Sequence, residues 1–367
     1  MSLAGVYLHI PFCKSRCSYC DFATDVWRDA ASVERYVDAI CSEISDFKSE
    51  ILMSVDTIYF GGGTPSLLSP EQVEHILNVF RGNFDVTADV EITMEMNPAT
   101  VTPETLNAYR ELGVNRASFG VQTFNEQDLK LLARGHDAND ARQTYKMLRD
   151  AGFTNISFDL IAGLPGQTLD DWTRNLDEAL GMSPEHLSLY LLEIHESTPL
   201  AEQVRSGRRK PIDEEVAAEM YELMLDRLVN VGYEQYEISN FSKPGYESRH
   251  NSKYWTLDSV YGFGVSAHSF DGTQRYANVR DTAQYVEKIE SGSSPEAFRE
   301  NIDRESESIF LGLRLERGIS MTSNQIDKYR KEIEKLAADD LLALDGNKLK
   351  LTRRGKLFSN EVFAVFV

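Results

Sequence analysis

The sequence has no long hydrophobic run. Across 367 residues, no stretch reaches the ~18 consecutive apolar positions that a membrane-spanning helix needs. The amino terminus also lacks a basic segment leading into an apolar run, which is the pattern of a secretory signal. We therefore expect a cytoplasmic protein without a transmembrane segment.

Cysteine is scarce, and its distribution is uneven. The chain has 4 cysteines, and three of them, Cys13, Cys17 and Cys20, fall within one short segment. A disulfide framework is typical of secreted chains in which many cysteines are spread along the sequence. The crowding of three thiols instead indicates a metal centre.

Positive charge is also in short supply. The 38 basic side chains are outnumbered by 58 acidic ones, and the net charge is −20. Such a chain repels a phosphate backbone, so we expect no nucleic-acid partner. Residues 301–367 are the exception, with 12 basic and 11 acidic side chains. Arg353, Arg354 and Lys356 would be the contacts of a DNA-reading domain there, but three such charges are more typical of a solvated face.

What is present is the composition of a globular protein, with 42% hydrophobic residues, and a regular alternation of apolar and helical patterns up to about residue 192. Ser-Pro-Glu or Thr-Pro-Glu at 69–71, 102–104 and 183–185 predicts three helix starts. This order predicts a parallel α/β sheet, either open and doubly wound or curved into a partial barrel. The predicted strands are 6–10, 57–60, 90–96, 116–120, 156–161 and 186–191, and the predicted helices are 32–48, 70–81, 103–112, 138–151 and 169–180.

The pattern changes after Pro199. An amphipathic helix is predicted at about 213–231, and the segment 342–351, interrupted by Asp345-Gly346-Asn347, reads as a hairpin that follows helices. That last pattern resembles a winged helix. Together with the charge difference near residue 300, it predicts three domains, at 1–200, 201–300 and 301–367.

The cysteine motif is Cys13-x-x-x-Cys17-x-x-Cys20, directly after the first predicted strand. Zinc sites usually have four protein ligands in two separated pairs, and no second pair is present. Cys41 lies in a predicted helix and is interpreted as a buried structural residue. A three-cysteine iron–sulfur cluster leaves one iron open to a small molecule, and this is the interpretation that the spacing favours.

Polar and glycine residues stand where the following strands end. Gly61-Gly62-Gly63-Thr64-Pro65 follows the second predicted strand, and the next strands carry Glu95, Gln122 and Asp159. In a parallel barrel the carboxyl ends of the strands form the functional face. We therefore expect these residues to share one binding site with the cysteines.

The cysteine loop and the glycine turn resemble those of the radical S-adenosylmethionine (SAM) superfamily, in its coproporphyrinogen-oxidase-like subgroup. The resemblance implies a partial (β/α)6 TIM-like barrel with a C-terminal α/β extension and a winged-helix-like domain. It also implies a [4Fe–4S] cluster on Cys13, Cys17 and Cys20, and a reductant protein such as flavodoxin or ferredoxin that lets the cluster pass an electron to SAM. The residues at SAM-contacting positions are Tyr7, Tyr19, Gly62, Gly63, Thr64, Glu95, Gln122, Arg134 and Asp159.

Three features separate the two branches of this subgroup. Phe22 stands where the oxidase pattern has a fourth cysteine, only 12 residues precede Cys13, and residues 250–255 match the signature H-N-x-x-Y-W of the HemW family. The resemblance therefore implies a heme chaperone that carries heme, or another tetrapyrrole, to apo-hemoproteins. The alternative is a radical SAM enzyme that decarboxylates coproporphyrinogen III in porphyrin biosynthesis.

The H-N-x-x-Y-W segment supplies the candidate heme contacts. Imidazole is a common axial ligand of heme iron, so His250 is the expected ligand, with Tyr254 and Trp255 offering flat apolar surface. His268 is a second candidate ligand. His9, which precedes the cysteine loop, is expected to orient that loop.

Overall fold

The computed structural model describes residues 3–27, 29–47 and 54–367. Its strands, in chain order, are β1 (Leu3–Ile10), β2 (Phe12–Cys13), β3 (Asp25–Val26), β4 (Ser54–Gly62), β5 (Asp85–Met96), β6 (Arg116–Gln122), β7 (Ile156–Ala162), β8 (His186–Leu191), β9 (Glu234–Glu237), β10 (Asn240–Ser242), β11 (Val260–Phe263), β12 (His268–Phe270), β13 (Gln274–Asn278), β14 (Glu296–Asn301), β15 (Ile319–Ser320), β16 (Leu342–Asp345) and β17 (Lys348–Leu351).

The helices lie between these strands and, in the last part of the chain, follow one another. In chain order they are α1 (Ala30–Asp46), α2 (Pro70–Asn83), α3 (Pro103–Glu111), α4 (Glu126–Leu131), α5 (Ala138–Asp150), α6 (Leu169–Met182), α7 (Pro199–Arg205), α8 (Glu214–Asn230), α9 (Arg249–Thr256), α10 (Thr282–Glu290), α11 (Arg304–Gly312), α12 (Ser323–Lys328), α13 (Arg330–Ala338), α14 (Arg353–Leu357) and α15 (Ser359–Phe363). Among the described residues, no helix is both long and apolar enough to cross a bilayer.

One large mixed sheet organises the fold. Its strand order is β14-β13-β12-β11-β1-β4-β5-β6-β7-β8-β10-β9. The strands from β11 to β8 run parallel, and those outside this run pair antiparallel. A doubly wound sheet reverses its strand order at a switch point, whereas β1, β4, β5, β6, β7 and β8 follow one another without reversal. The α/β class is thus confirmed, and the winding is that of a partial barrel.

The parallel strands are buried on both faces. All seven residues of β6 are buried, as are seven of the nine residues of β4 and six of the seven residues of β7. Helices cover the outer face, and side chains fill the inner one, so these strands read as nearly continuous apolar runs. This is why the sequence predicted all six strands, with the limits of β8 matching the predicted segment 186–191.

The helix predictions were correct with one exception. The helix predicted at 32–48 is observed as α1, which ends at Asp46, and Lys48 lies outside the described residues. The helix start predicted at 183–185 is wrong, because Ser183 ends α6 in the left-handed conformation with φ 55° and β8 follows. Proline is also common just after a helix end, so the same Ser-Pro-Glu pattern fits both positions.

Residues after 200 extend the same sheet at both edges. Strands β10 and β9 continue it beyond β8, while β11 lies parallel to β1 and leads into the antiparallel β12, β13 and β14. Residues 304–366 form a second, smaller core that includes Ile309, Leu313 and Leu349. Its sheet has the order β15-β17-β16, with the predicted hairpin between β16 and β17. The domain limits at 200 and 300 stay predictions.

Helix α9 closes the barrel at the amino ends of the strands. The backbone N–H groups of Arg249 and His250 donate to the carboxylate of Glu91, at 3.2 and 3.1 Å. The Lys253 ammonium lies 2.8 Å from the Asp56 carboxylate, and both side chains are only 8% exposed. A negative carboxylate at the first turn of a helix is favourable, and a buried ion pair resists separation because each charge would be left without a partner.

We predict that Asp56→Ala lowers the free energy of unfolding by about 3–5 kcal/mol, since Lys253 is left as an uncompensated buried cation. The double variant Asp56→Ala/Lys253→Met should recover part of this loss. Urea denaturation measures both. Asp150→Ala, which breaks the exposed pair of Lys146 and Asp150, is the control and should cost about 0.5 kcal/mol or less. Equal losses in the single and double variants would contradict the buried-pair interpretation.

Candidate functional site

A cavity of about 720 Å³ opens at the carboxyl ends of the parallel strands. We call it the central cavity; its walls are the cysteine loop, the ends of β4 to β8 with the loop after β8, and parts of residues 314–360. The predicted site residues that line it are Cys13, Cys17, Tyr19, Cys20, Gly62, Gly63, Glu95, Gln122, Arg134 and Asp159. The structure therefore brings residues from five strand ends and the cysteine loop to one place.

Backbone and side-chain bonds fix the cysteine loop. The short parallel pair of β2 and β3 closes the loop, with Trp27 N donating to Cys13 O at 2.8 Å. Ser18 N and Ser18 Oγ donate to the carbonyls of Leu132 and Leu131. His9 Nε2 lies 2.8 Å from Ala23 O, which agrees with the expectation that His9 orients this loop. The three thiols are thus held by the barrel and by the turn after α4.

A chain of hydrogen bonds joins two of the cysteines across the cavity wall. Arg134 Nη1 donates to Cys17 Sγ at 3.4 Å, and its Nη2 donates to Asn97 Oδ1 at 2.6 Å. Asn97 Nδ2 donates to Thr64 Oγ1 at 2.8 Å, and Thr64 Oγ1 donates to Cys13 Sγ at 3.6 Å. Thr64 and Arg134 thus have partners in the cysteine loop. Asn97 was missed by the sequence analysis, although it follows Glu95 by two residues at the end of β5.

The three thiols line one cavity. Among the described residues, no three His, Cys, Asp or Glu side chains are arranged to hold a single metal ion. A multi-iron cluster takes one thiolate at each of several irons, so three thiols around one cavity fit a cluster. Cys41 lies in α1, where burial and the nearby Asp38 and Glu34 carboxylates raise the pKa of its thiol to about 12.

The glycine turn lets β4 end against the cysteine loop. A Cβ on Gly63 would lie 2.6 Å from Pro11 O, and a Cβ on Gly62 would lie 2.7 Å from the His9 ring. Gly62 also has φ +110°, a conformation that glycine adopts without strain. The missing side chains therefore serve close packing of the loop as well as access to the cavity, and Gly62 N donates to Glu95 Oε2 at 3.1 Å.

Two carboxylates and two guanidinium groups, those of Arg116 and Arg134, determine the charge of the cavity floor. Burial raises the pKa of Glu95 to about 7 and also raises the pKa of Asp159, while the Arg116 charge opposes both shifts. Glu95 accepts a hydrogen bond from Tyr59 Oη at 2.7 Å. Arg116 is 1% exposed, and its Nε and Nη1 have no hydrogen-bond partner within the described part of the chain. The two carboxylates of the floor therefore lie close to two cations, Arg116 and the cavity-lining Arg134.

A residue with a strained backbone conformation lies at the same cavity floor. Gln122, at the end of β6, has φ 65°, which is rare for a residue other than glycine. Its side chain is 9% exposed and lines the central cavity. Tyr7, by contrast, does not line the cavity. Its ring stacks on Tyr59, whose hydroxyl donates to the cavity residue Glu95, and its own hydroxyl lies 3.0 Å from His9 Nδ1.

The structure does not bring His250 to the central cavity. His250 lies on α9, not in a loop, and is 1% exposed. Both ring nitrogens are occupied, Nδ1 by Thr57 Oγ1 at 2.9 Å and Nε2 by Tyr254 Oη at 3.0 Å. Burial and the nearby Lys253 and Arg116 charges lower its pKa to about 3. The ring stacks on Tyr59 at 5.0 Å and so fills the barrel interior.

Trp255 does not line the central cavity but contacts a residue that does. The Arg314 guanidinium lies over the Trp255 ring, 4.3 Å from its centroid, and Arg314 lines the central cavity. Arg314 Nη2 is 3.4 Å from Glu237, while its Nε has no partner among the described residues. Lys356 on α14 lines the same wall and contacts Gln235 and Glu316. This wall therefore contains two cations, and each is paired with a carboxylate, Arg314 with Glu237 and Lys356 with Glu316.

Comparison with known proteins identifies the family. The model of the radical SAM superfamily matches residues 7–179, and the model of the HemN C-terminal domain matches residues 300–358. The chain is 35% identical to heme chaperone HemW of Bacillus subtilis (strain 168), over 100% of this chain and 99% of that one. It is 33% identical to heme chaperone HemW of Escherichia coli (strain K12), over 99% and 98%. The chain belongs to the HemW family of radical SAM proteins.

The solved structure of coproporphyrinogen III oxidase (HemN) from Escherichia coli, described as a radical SAM enzyme, has the same fold. Its TM-score to this member of the HemW family is 0.87, at 23% identity over 100% of this chain and 90% of that one. The radical SAM match contains the ten predicted residues that line the central cavity, and the HemN C-terminal match contains Arg314 and Lys356. The two matched segments therefore meet at the cavity.

Proposed function

We propose that this protein binds heme and delivers it to apo-hemoproteins, and that a [4Fe–4S] cluster and SAM are held in the central cavity. The observation that carries the proposal is the full-length similarity to heme chaperones, at 35% identity over 100% of the chain. We place the protein in the cytoplasm, with a reductant protein such as flavodoxin or ferredoxin as the source of electrons.

Cys13, Cys17 and Cys20 would hold the cluster. All three are partly exposed and line the central cavity, and the bonded chain through Arg134, Asn97 and Thr64 stabilises two of their sulfur atoms. These hydrogen bonds hold the two sulfur atoms in place at the cavity wall. When bound and reduced, such a cluster supplies an electron to the sulfonium of SAM.

The rim residues would bind SAM. Its ammonium and hydroxyl groups are hydrogen-bond donors, and Glu95 and Asp159 are the carboxylate acceptors of the cavity floor. A cationic ligand also offsets the unfavourable burial of these carboxylates, which raises their pKa in the free protein. Tyr19, Gly62, Gly63 and Gln122 would complete the SAM site, while Tyr7, Thr64 and Arg134 would position its walls.

The wall formed by residues 314–360 suits the carboxylates of a tetrapyrrole. Arg314, whose buried Nε has no partner among the described residues, and Lys356 both line this wall, where a tetrapyrrole carboxylate would compete with Glu237 and Glu316 for them. We propose that Trp255 contributes here by supporting Arg314, with its ring in cation–π contact. The sequence-based proposal that His250 ligates heme, with Tyr254 beside it, stays a prediction, but the bonds of its ring favour a structural role.

The cluster assignment predicts the behaviour of four alanine variants. After anaerobic reconstitution, Cys13→Ala, Cys17→Ala and Cys20→Ala should each lose the iron–sulfur absorbance, because each removes one cluster ligand. Cys41→Ala should keep it, since Cys41 is buried in α1 away from the cavity. Iron content and visible absorbance are the measurements. A folded Cys41→Ala protein without a cluster would reject the assignment.

The SAM assignment predicts a pH dependence. With the pKa of Glu95 at about 7, the free carboxyl takes up a proton below pH 7 and loses its attraction for the SAM ammonium. SAM affinity should therefore fall about tenfold from pH 8 to pH 6, measured by calorimetry on reconstituted protein. Glu95→Gln should bind weakly at both pH values, and the exposed Glu332→Gln should behave as the wild type. A Glu95→Gln variant with the full pH dependence would contradict the role of Glu95.

The proposed function is tested by two parallel assays on the reconstituted protein. Heme should bind stoichiometrically and pass to an apo-hemoprotein, whereas coproporphyrinogen III should not be decarboxylated. Heme transfer is followed by the appearance of the acceptor's absorbance, and decarboxylation by the tetrapyrrole products. Robust decarboxylation without heme binding would overturn the chaperone proposal in favour of the radical enzyme, whose fold this chain shares.

A further inference from the structure

A protein that carries heme needs a side chain to ligate the iron, and imidazole is the ligand most proteins use. The chain has 7 histidines, and all of them lie in the described residues. Their placement can therefore be compared directly.

Three of the histidines are enclosed, with both ring nitrogens engaged. His9 contacts Tyr7 Oη and Ala23 O, and His186 contacts Ser157 Oγ and Tyr236 Oη at 2.7 and 2.8 Å. His250 contacts Thr57 and Tyr254. None of the three offers a free lone pair to a ligand without breaking bonds inside the barrel.

Three others lie away from the central cavity. His136 is 8% exposed, in the segment between α4 and α5. His75 is exposed on α2, and His268 is exposed on β12, where its ring packs on Phe298 at 5.8 Å. None of these three lines the cavity.

His195 is the remaining histidine, and it differs from all the others. It is exposed, and it lines the central cavity in the loop that follows β8. Its ring lies close enough to Asp21 for electrostatic interaction, and Asp21 directly follows Cys20, the last cysteine of the cysteine loop. His195 thus stands where the cysteine loop meets the opening of the cavity.

The backbone of His195 is held in place, although its side chain is exposed. Its carbonyl accepts hydrogen bonds from Thr198 N at 3.0 Å and Thr198 Oγ1 at 2.7 Å. Ser197 Oγ donates to Asp21 Oδ1 at 2.8 Å, and Leu200 N donates to Ser18 O at 2.8 Å. A ligand group on a fixed backbone loses little conformational entropy when it binds.

Exposed aromatic side chains flank the same opening. Phe22 is 67% exposed and Tyr190 is 42% exposed, and both line the central cavity. Large exposed aromatic groups on a cavity wall are suited to flat apolar ligands, because burial removes their surface from water. The opening therefore combines an imidazole with apolar contact surface.

We propose that His195 is the iron ligand of heme bound at the opening of the central cavity. The proposal rests on the proposed heme-binding function and names the residue that carries it. A ring nitrogen of His195 donates its lone pair to an open axial position of the iron, and no electron or proton is transferred. Phe22 and Tyr190 contact the macrocycle, and its carboxylates face Arg314 and Lys356.

The test is a titration of reconstituted protein with hemin, read as a difference spectrum against heme-free protein because the cluster absorbs in the same region. His195→Ala should shift the Soret band and raise the Kd for heme at least tenfold. Added imidazole should restore the wild-type band, because it supplies the missing ligand. His75→Ala and His268→Ala are matched controls and should behave as the wild type. Circular dichroism and cluster absorbance should be unchanged in all three variants.

A second variant makes the test independent of affinity. His195→Tyr replaces the nitrogen ligand with a phenol oxygen and should give a different heme spectrum at saturation. Unchanged spectra in both His195 variants, with normal heme binding by the wild type, would overturn the assignment of His195 while leaving the proposed function standing. Absence of stoichiometric heme binding in the wild type would overturn the proposed function itself.

Discussion

The common direction of the parallel strands is the constraint on which the rest of the structure depends. From β1 to β8 each strand pairs in parallel with its neighbour, so every carboxyl end reaches the same rim. Glu95, Gln122 and Asp159 are distant in sequence, and only this pairing brings them to one cavity. The amino ends meet at the opposite rim, where α9 closes the barrel through Glu91 and Asp56. The amino end of the barrel is thereby filled by α9, and the carboxyl end is open to a ligand.

The two ends of the barrel differ in the partners available to their charged side chains. At the closed end Asp56 pairs with Lys253 at 2.8 Å, and the pair is satisfied within the protein. Toward the open end, burial raises the pKa of the half-buried carboxyls of Glu95 and Asp159, and Arg116, which begins β6 deeper in the barrel, is without a full set of partners among the described residues. Unsatisfied charge is costly in a structural core and is typical of sites that bind a ligand. The open end is thus the part of the barrel in which a cation such as SAM would improve the electrostatics.

The fold was largely predictable because its signals are local. Strand and helix periodicities, helix caps and the cysteine spacing all lie within short segments, and the cysteine loop was located by its spacing alone. Ser183-Pro184 was misread because helix starts and helix ends share that pattern. Contacts across long separations were not predictable: Arg134 bonds Cys17 from 117 residues away. Asn97, Arg116 and His195 had no local signal beyond their positions near strand ends.

The H-N-x-x-Y-W segment shows why residue type alone does not identify a ligand. Its histidine and aromatic residues would suit a heme site, yet the helix that carries them is turned so that His250 enters the barrel and Trp255 faces Arg314. Whether a residue is buried depends on the tertiary structure. The same sequence motif is therefore compatible with a heme site and with a helix whose histidine packs inside the barrel. In this structure α9 contacts the barrel through Glu91 and residues 304–366 through Arg314. The segment therefore joins the parallel barrel to the wall that completes the central cavity.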